Sequence, residues 1–137
     1  DGYCSDSTRM YALGEPSPQA LAELEVLQQA QAAAVEAVRP GLTCEAIDAV
    51  ARDVLAAAGL AEFFIHRTGH GIGLETHEEP YIIAGNSRVL EPGMAFSVEP
   101  GVYRAGSHGA RIEDIVVCVE DGVLRCNNRP HELVIVA

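Results

Sequence analysis

The apolar positions along the chain change period near Gly59. From Gln19 to Arg39, Leu21, Leu24, Val26, Leu27, Val35 and Val38 recur at helical spacing among many alanines, which predicts a long helix. Gly14-Glu15-Pro16-Ser17-Pro18 precedes it as a turn. Ser17 can cap the free N–H groups of the first helical turn, and the fixed φ of Pro18 suits the first helical position. Pro40-Gly41 ends this helix. A second is expected from its cap, Thr43, to about Ala58, with Ile47, Val50, Val54 and Leu55 inward and Gly59 at the stop. Ahead of both helices, Gly2 to Leu13 reads as a strand. After Gly59, short apolar runs lie between glycines: Phe63-Phe64-Ile65, Tyr81-Ile82-Ile83, Met94 to Val98, Ile112 to Val119 and Leu133 to Val136. These read as strands, and Asp121-Gly122 marks a hairpin turn. The order predicts an α+β fold. A curved, mainly antiparallel sheet has helices on its outer face, and its other face is left for polar chemistry.

At 137 residues and 48% apolar composition the chain is one domain, or part of one, with enough apolar residues for a core. No apolar run reaches the ~18 residues of a membrane span. The opening Asp1-Gly2-Tyr3-Cys4-Ser5-Asp6 is no signal peptide, and it lacks an initiating Met. A processed chain, or a piece of a longer one, is expected. The formal charge of −11 opposes a nucleic-acid partner and an anionic membrane surface. All nine basic residues are arginines, which excludes a lysine Schiff base or P-loop lysine within the chain. Cys4, Cys44, Cys118 and Cys126 show no C-x-x-C spacing. Reduced, buried thiols in a cytoplasmic protein are expected.

The candidate chemistry is concentrated in His66-Arg67-Thr68-Gly69-His70-Gly71-Ile72-Gly73-Leu74-Glu75-Thr76-His77-Glu78-Glu79-Pro80, which holds three of the five histidines. Imidazoles this close, among glycines and acids, suggest a metal or proton-transfer site. His66 and His70 are spaced as in a zincin helix, but Gly69 and Gly71 oppose a helix and no glutamate base lies between them. Further carboxylates come from separate segments: Asp6, Glu99 in Val98-Glu99-Pro100-Gly101-Val102-Tyr103, and Glu113 in Gly109-Ala110-Arg111-Ile112-Glu113-Asp114. One imidazole with several carboxylate oxygens suits hard or borderline divalent ions. Glu78, Glu79 and Asp114 are read as solvated or structural charges, and His108 and His131 as surface residues.

Four motifs, in order, carry a resemblance: Gly2-Tyr3-x-Ser5-Asp6-x-Thr8-Arg9, H-x-x-G-H-G-I-G-L-x-x-H-E-x-P from His66, E-P-G-x-Y from Glu99, and G-x-R-I-E-D from Gly109. Together they resemble the metallopeptidase superfamily of methionine aminopeptidase and the Xaa-Pro peptidases, which has the pita-bread (creatinase/aminopeptidase-like) fold. The short gap from Glu99 to Glu113 is more similar to the proline-peptidase branch. The resemblance implies two divalent metal ions, manganese first, with cobalt, zinc or iron admitted. It implies Asp6, His70, Glu99 and Glu113 as ligands and Glu99 as the group that takes a proton from water. It also implies His77 and His66 as catalytic histidines over the substrate, with Arg111 and Thr8 holding carboxylate ligands in place. The expected substrates are small proline-containing peptides, cleaved between an N-terminal residue and proline by a dipeptidase or aminopeptidase. A cytoplasmic homodimer is expected.

The chain also departs from the family pattern. A further aspartate ligand and a substrate-binding histidine belong upstream of Asp6, and Asp1 lies too close to serve. Residues 1–137 therefore read as the C-terminal part of a single catalytic domain whose N-terminal part is missing, supplied by a separate chain, a cleaved piece or a longer polypeptide. Tyr81 stands where some proline dipeptidases carry an arginine for the substrate carboxylate. Two alternative readings are a non-catalytic pita-bread module that binds peptide or protein, and a methionine aminopeptidase.

Overall fold

A computed structural model describes residues 1–136. Helix α1 spans Pro18–Ala37, and the Ser17 hydroxyl accepts from the Ala20 N–H at 3.1 Å. Helix α2 spans Cys44–Ala57, and the Thr43 hydroxyl accepts from the Ala46 N–H at 3.3 Å. α1 stops short of the expected Arg39, with Val38 already extended, because the ring of Pro40 bars its preceding residue from helical geometry. Gly59 follows α2 with φ +74, a left-handed conformation that glycine adopts without strain.

The strands are β1 Tyr11–Leu13, β2 Gly69–Gly71, β3 Glu78–Ile82, β4 Ala95–Val98, β5 Gly101–Arg104, β6 His108–Arg111, β7 Asp114–Val119, β8 Gly122–Arg125 and β9 Val134–Val136. An antiparallel sheet has the order β3-β2-β4-β7-β8. β5 and β6 form a separate hairpin, and β1 pairs in parallel with β9, Tyr11 opposite Val134. The hairpin expected at Asp121-Gly122 joins β7 to β8, with Val119 opposite Gly122.

Several expectations are corrected. The strand expected over Gly2–Leu13 contracts to β1; before it the chain makes only a bridge, Thr8 opposite Glu113. Phe63-Phe64-Ile65 is not a strand. Ala61–Phe63 form a 3-10 turn, Phe64 packs into the core and Ile65 points to solvent. Strands β2, β5 and β6 escaped notice because glycine weakens a strand signal. Asp114 is the structural rather than the solvated charge, and His108 and His131, expected at the surface, are half-buried. Asp114 is buried and takes hydrogen bonds from Arg9, Gln31 and His131, while His108 bonds Glu23.

The core lies between the helices and the sheet. Leu27, Val35, Ile47 and Leu55 meet Ile82, Phe96, Val98, Ile112 and Val116, all fully buried. Side chains alternate faces along a strand. With Phe96 and Val98 in the core, Ser97 and Glu99 face the other way, and so does Glu113 beside Ile112. The core pattern thus dictates which face carries the acids. All four cysteines are free, Cys44 and Cys118 buried and Cys126 exposed. No helix among the described residues is long and apolar enough to cross a membrane.

Candidate metal centre and cleft

The fold brings Asp6, His70 and Glu113 together from three distant segments. One ligand atom of each lies within 4.8 Å of the others. Glu99 adjoins them, its Oε1 3.1 Å from His70 Nε2. Asp6 is half-buried, while His70, Glu99 and Glu113 are buried.

Each side chain is held by partners that fix its direction. The Nδ1–H of His70 donates to the Gly71 carbonyl at 3.1 Å. A carbonyl only accepts, so Nε2 is the atom turned to the carboxylates. The Ser97 hydroxyl accepts from the His70 N–H and donates to Glu99 Oε1, both at 3.0 Å. The Thr8 hydroxyl donates to Glu113 Oε2 at 2.5 Å and accepts from Arg111 Nε at 3.0 Å. Arg111 Nη1 also comes to 4.0 Å from Glu99 Oε2. Asn127 anchors the Asp6 segment: its Nδ2 donates to the Asp6 carbonyl at 3.1 Å, and its Oδ1 accepts from the Ile115 N–H.

Glycine is required where β2 crosses β4 and β3. A Cβ on Gly69 would lie 2.8 Å from the Ser97 carbonyl carbon, and one on Gly71 would run into the Glu79 carbonyl. Backbones this close leave no room for a side chain.

The electrostatics follow from the crowding of acids. Burial pushes the Glu113 carboxyl up, and the nearby Glu99 and Asp6 carboxylates add to this against the Thr8 hydrogen bond. Burial opposes charge on His70 as well, but Glu99 and the Gly71 carbonyl outweigh it and raise the imidazole. Glu99 is itself lowered: burial acts against ionisation, but His70, Ser97 and Arg111 win. A divalent cation among these oxygens would relieve the mutual repulsion, and its preference for carboxylate and imidazole donors matches the set. The residues present therefore fit such an ion.

His66, Arg67, His77, Ile83, Glu99 and Arg111 line an open cleft of about 510 Å³. The edge of one ring meets the face of the other between His77 and His70, centroids 4.2 Å apart, and His77 is exposed. His66 donates from Nδ1 to the Arg67 carbonyl at 2.7 Å, leaving Nε2 to accept from the Tyr103 hydroxyl at 3.1 Å. The Arg67 guanidinium lies over the Tyr81 ring, 4.8 Å from its centroid.

Ser97, Tyr103 and Asn127 shape this site, yet sequence reasoning did not single them out. Tyr103 stood within the E-P-G-x-Y motif. Nothing in the sequence marks Ser97 or Asn127, because both act through partners distant in the chain.

The profile of metallopeptidase family M24 matches residues 1–120. The Xaa-Pro dipeptidase of Lactobacillus helveticus is 54% identical over 122 residues, which cover 89% of this chain and 33% of that protein. Among solved structures, dipeptidase PepE from Mycobacterium ulcerans superposes with a TM-score of 0.96 at 65% identity, covering 98% of this chain and 36% of that one. An Xaa-Pro dipeptidase from Bacillus anthracis gives a TM-score of 0.96 at 44% identity, with 98% and 38% covered. The chain thus spans about a third of the length of the relatives it matches.

Proposed function

This chain belongs to metallopeptidase family M24 and has the pita-bread fold of its solved relatives, and from that premise we propose that its protein is an Xaa-Pro peptidase. In this reading it hydrolyses the bond between an N-terminal residue and proline with the help of two divalent ions. Residues 1–137 are assigned to the C-terminal part of a single catalytic domain. The observation that carries the reading is the convergence of Asp6, His70 and Glu113 ligand atoms within 4.8 Å, with Glu99 against His70 on the wall of a cleft.

Asp6, His70, Glu99 and Glu113 would hold the ions. Divalent ions supply Lewis acidity toward the scissile carbonyl and toward water. The chain's own groups do the rest. Glu99, held below the ordinary carboxylate range, is ionised at neutral pH and accepts a proton from the attacking water. The water oxygen bonds to the scissile carbon; as the C–N bond breaks, Glu99 returns that proton to the proline nitrogen. His77 and His66 face the same cleft, and one of them stabilises the tetrahedral carbon's oxygen or the departing nitrogen by hydrogen bonding; for His66 this requires exchanging the bond its Nε2 takes from the Tyr103 hydroxyl. Arg111 and Thr8 restrain Glu113 and Glu99, so the carboxylates keep their places as charge shifts.

The test is hydrolysis by the full-length protein, supplied with Mn²⁺, of an Xaa-Pro dipeptide, an Xaa-Pro-Xaa tripeptide and a Met-Ala-Ser peptide. Cleavage before proline, lost on chelation and reduced about 10²-fold or more by Glu99→Gln, is expected. Release of methionine from Met-Ala-Ser, with the proline peptides left intact, would turn the assignment to methionine aminopeptidase.

A further inference from the structure

Residues 64–68 lead into β2 but belong to no strand or helix, so their backbone groups need partners from elsewhere. Helix α2 supplies them through two residues one turn apart. Asp48 is buried at 1% exposure. It accepts from the Thr68 N–H at 3.1 Å, the Thr68 hydroxyl at 2.7 Å and Arg52 Nε at 2.6 Å. A carboxylate taken out of water persists only with such a full set of partners.

Arg52 carries the connection onward. Its Nη2 donates to the His66 carbonyl at 2.6 Å and its Nη1 to the Phe64 carbonyl at 3.4 Å. Its guanidinium lies over the Phe64 ring, 4.3 Å from the centroid, and that ring meets the His66 imidazole edge-on at 5.1 Å. Thr68 passes the constraint to the acid side of the cleft, since its carbonyl accepts the Glu99 N–H at 2.7 Å. One ion pair on the helix thus reaches two lining residues of the cleft, His66 through its carbonyl and Glu99 through Thr68, while lining it with neither Asp48 nor Arg52.

We infer that Asp48 and Arg52 are positioning residues that set the His66 imidazole in the cleft and join it to the Glu99 backbone. The inference rests on the reading that His66 faces a bound peptide. The planar fork of Arg52 is the essential element. It engages the Asp48 carboxylate and two carbonyls at once, and a lysine ammonium cannot span all three. Displacing a substrate-facing group by about an ångström costs up to ~100-fold in rate.

The experiment compares wild type, Arg52→Gln, Arg52→Lys, His66→Ala and the Arg52→Gln/His66→Ala pair in the full-length protein. Arg52 is the better choice because its side chain is 34% exposed, whereas a change at buried Asp48 risks the fold. In Xaa-Pro hydrolysis, Arg52→Gln is expected to lower kcat/KM roughly tenfold or more, with Arg52→Lys in between. In the His66→Ala background the same change should cost several-fold less, because only the route through Asp48 and Thr68 to Glu99 remains. Equal losses in both backgrounds would overturn the inference and leave Arg52 a general structural residue.

A second readout does not depend on turnover. The ring nitrogen resonances of His66 in metal-free protein should move in Arg52→Gln, while those of His70 stay. Unmoved His66 resonances would overturn the inference even in an active enzyme. A wild type that cleaves no proline peptide, yet shows the His66 shift, would refute the peptidase reading alone.

Discussion

Gly69→Ala tests how closely β2 approaches β4. The new Cβ would sit 2.8 Å from the Ser97 carbonyl carbon and nearer still to its oxygen, whereas ordinary contact begins at 3.4 Å. The obstacle is backbone, so the strain cannot be relieved by turning a side chain. β4 is also bound on its far side to β7 in a four-residue ladder, and that ladder resists the outward shift. Overpacking of this kind costs about 1–3 kcal/mol, and a fixed obstacle places this case at about 3. For a chain of this size that lowers Tm by about 10 °C. Gly85→Ala is the control. Its Cβ would meet nothing within 4 Å, but φ is +83, so only backbone strain of about 1 kcal/mol is expected. Thermal unfolding followed by circular dichroism measures both. The Ser97 hydroxyl bonds both His70 and Glu99, so Gly69→Ala should also weaken Mn²⁺ binding, while Gly85→Ala should not. A Gly69→Ala protein as stable as Gly85→Ala would refute the close crossing and the packing argument with it.

Other expectations follow from the charges and thiols. Burial raises Glu23, but hydrogen bonds from Gln19, Arg104 and His108 outweigh it and hold the carboxyl below its ordinary 4.5. Its stabilisation is therefore complete above that value and lost as pH falls through the lower folded one. Glu23→Gln should be less stable than wild type in denaturant titrations at pH 7, with the difference closing in acid below pH 4.5; a gap that stays constant would refute the ion-pair account. Burial pushes the Cys44 and Cys118 thiols up, so iodoacetamide should label exposed Cys126 in the native protein and reach these two only after denaturation. Mass spectrometry of labelled peptides decides it, and early labelling of Cys118 would contradict the packing of β7. Mn²⁺ should raise Tm in proportion to its binding, and Asp6→Asn or His70→Ala should remove most of that rise, as scanning calorimetry can measure.

The helices were legible because their signals are local. Ser17, Pro18 and Thr43 cap and start them within a few residues, and Gly59 follows the second. The strands with β-branched runs were legible for the same reason, as β7 shows with Ile115, Val116 and Val117. What the sequence concealed depends on partners far along the chain. Asn127 matters because Asp6 lies beside it, and Asp48 because Thr68 does. Whether Asp114 is a solvated or a structural charge is decided only where Arg9, Gln31 and His131 close around it. The candidate ligands Asp6, His70, Glu99 and Glu113 were named through motif resemblance. Their convergence depends on the sheet, whose alternation turns Glu99 and Glu113 to one face, and on the arm that brings Asp6 to it.

The segment bearing Asp6 is fastened from the opposite end of the chain: by Asn127 to the Asp6 carbonyl, by Arg9 to Arg129 and Asp114, and by β1 to β9. The residues it joins are more than a hundred positions apart, so docking this arm closes the longest loops in the molecule and carries their entropic cost. The arm is thus a latch on the candidate ion site. Undocking of the whole arm would carry Asp6 away while His70, Glu99 and Glu113 stay with the sheet, so the apparent affinity for an ion bound there would include the fraction of time the arm is docked.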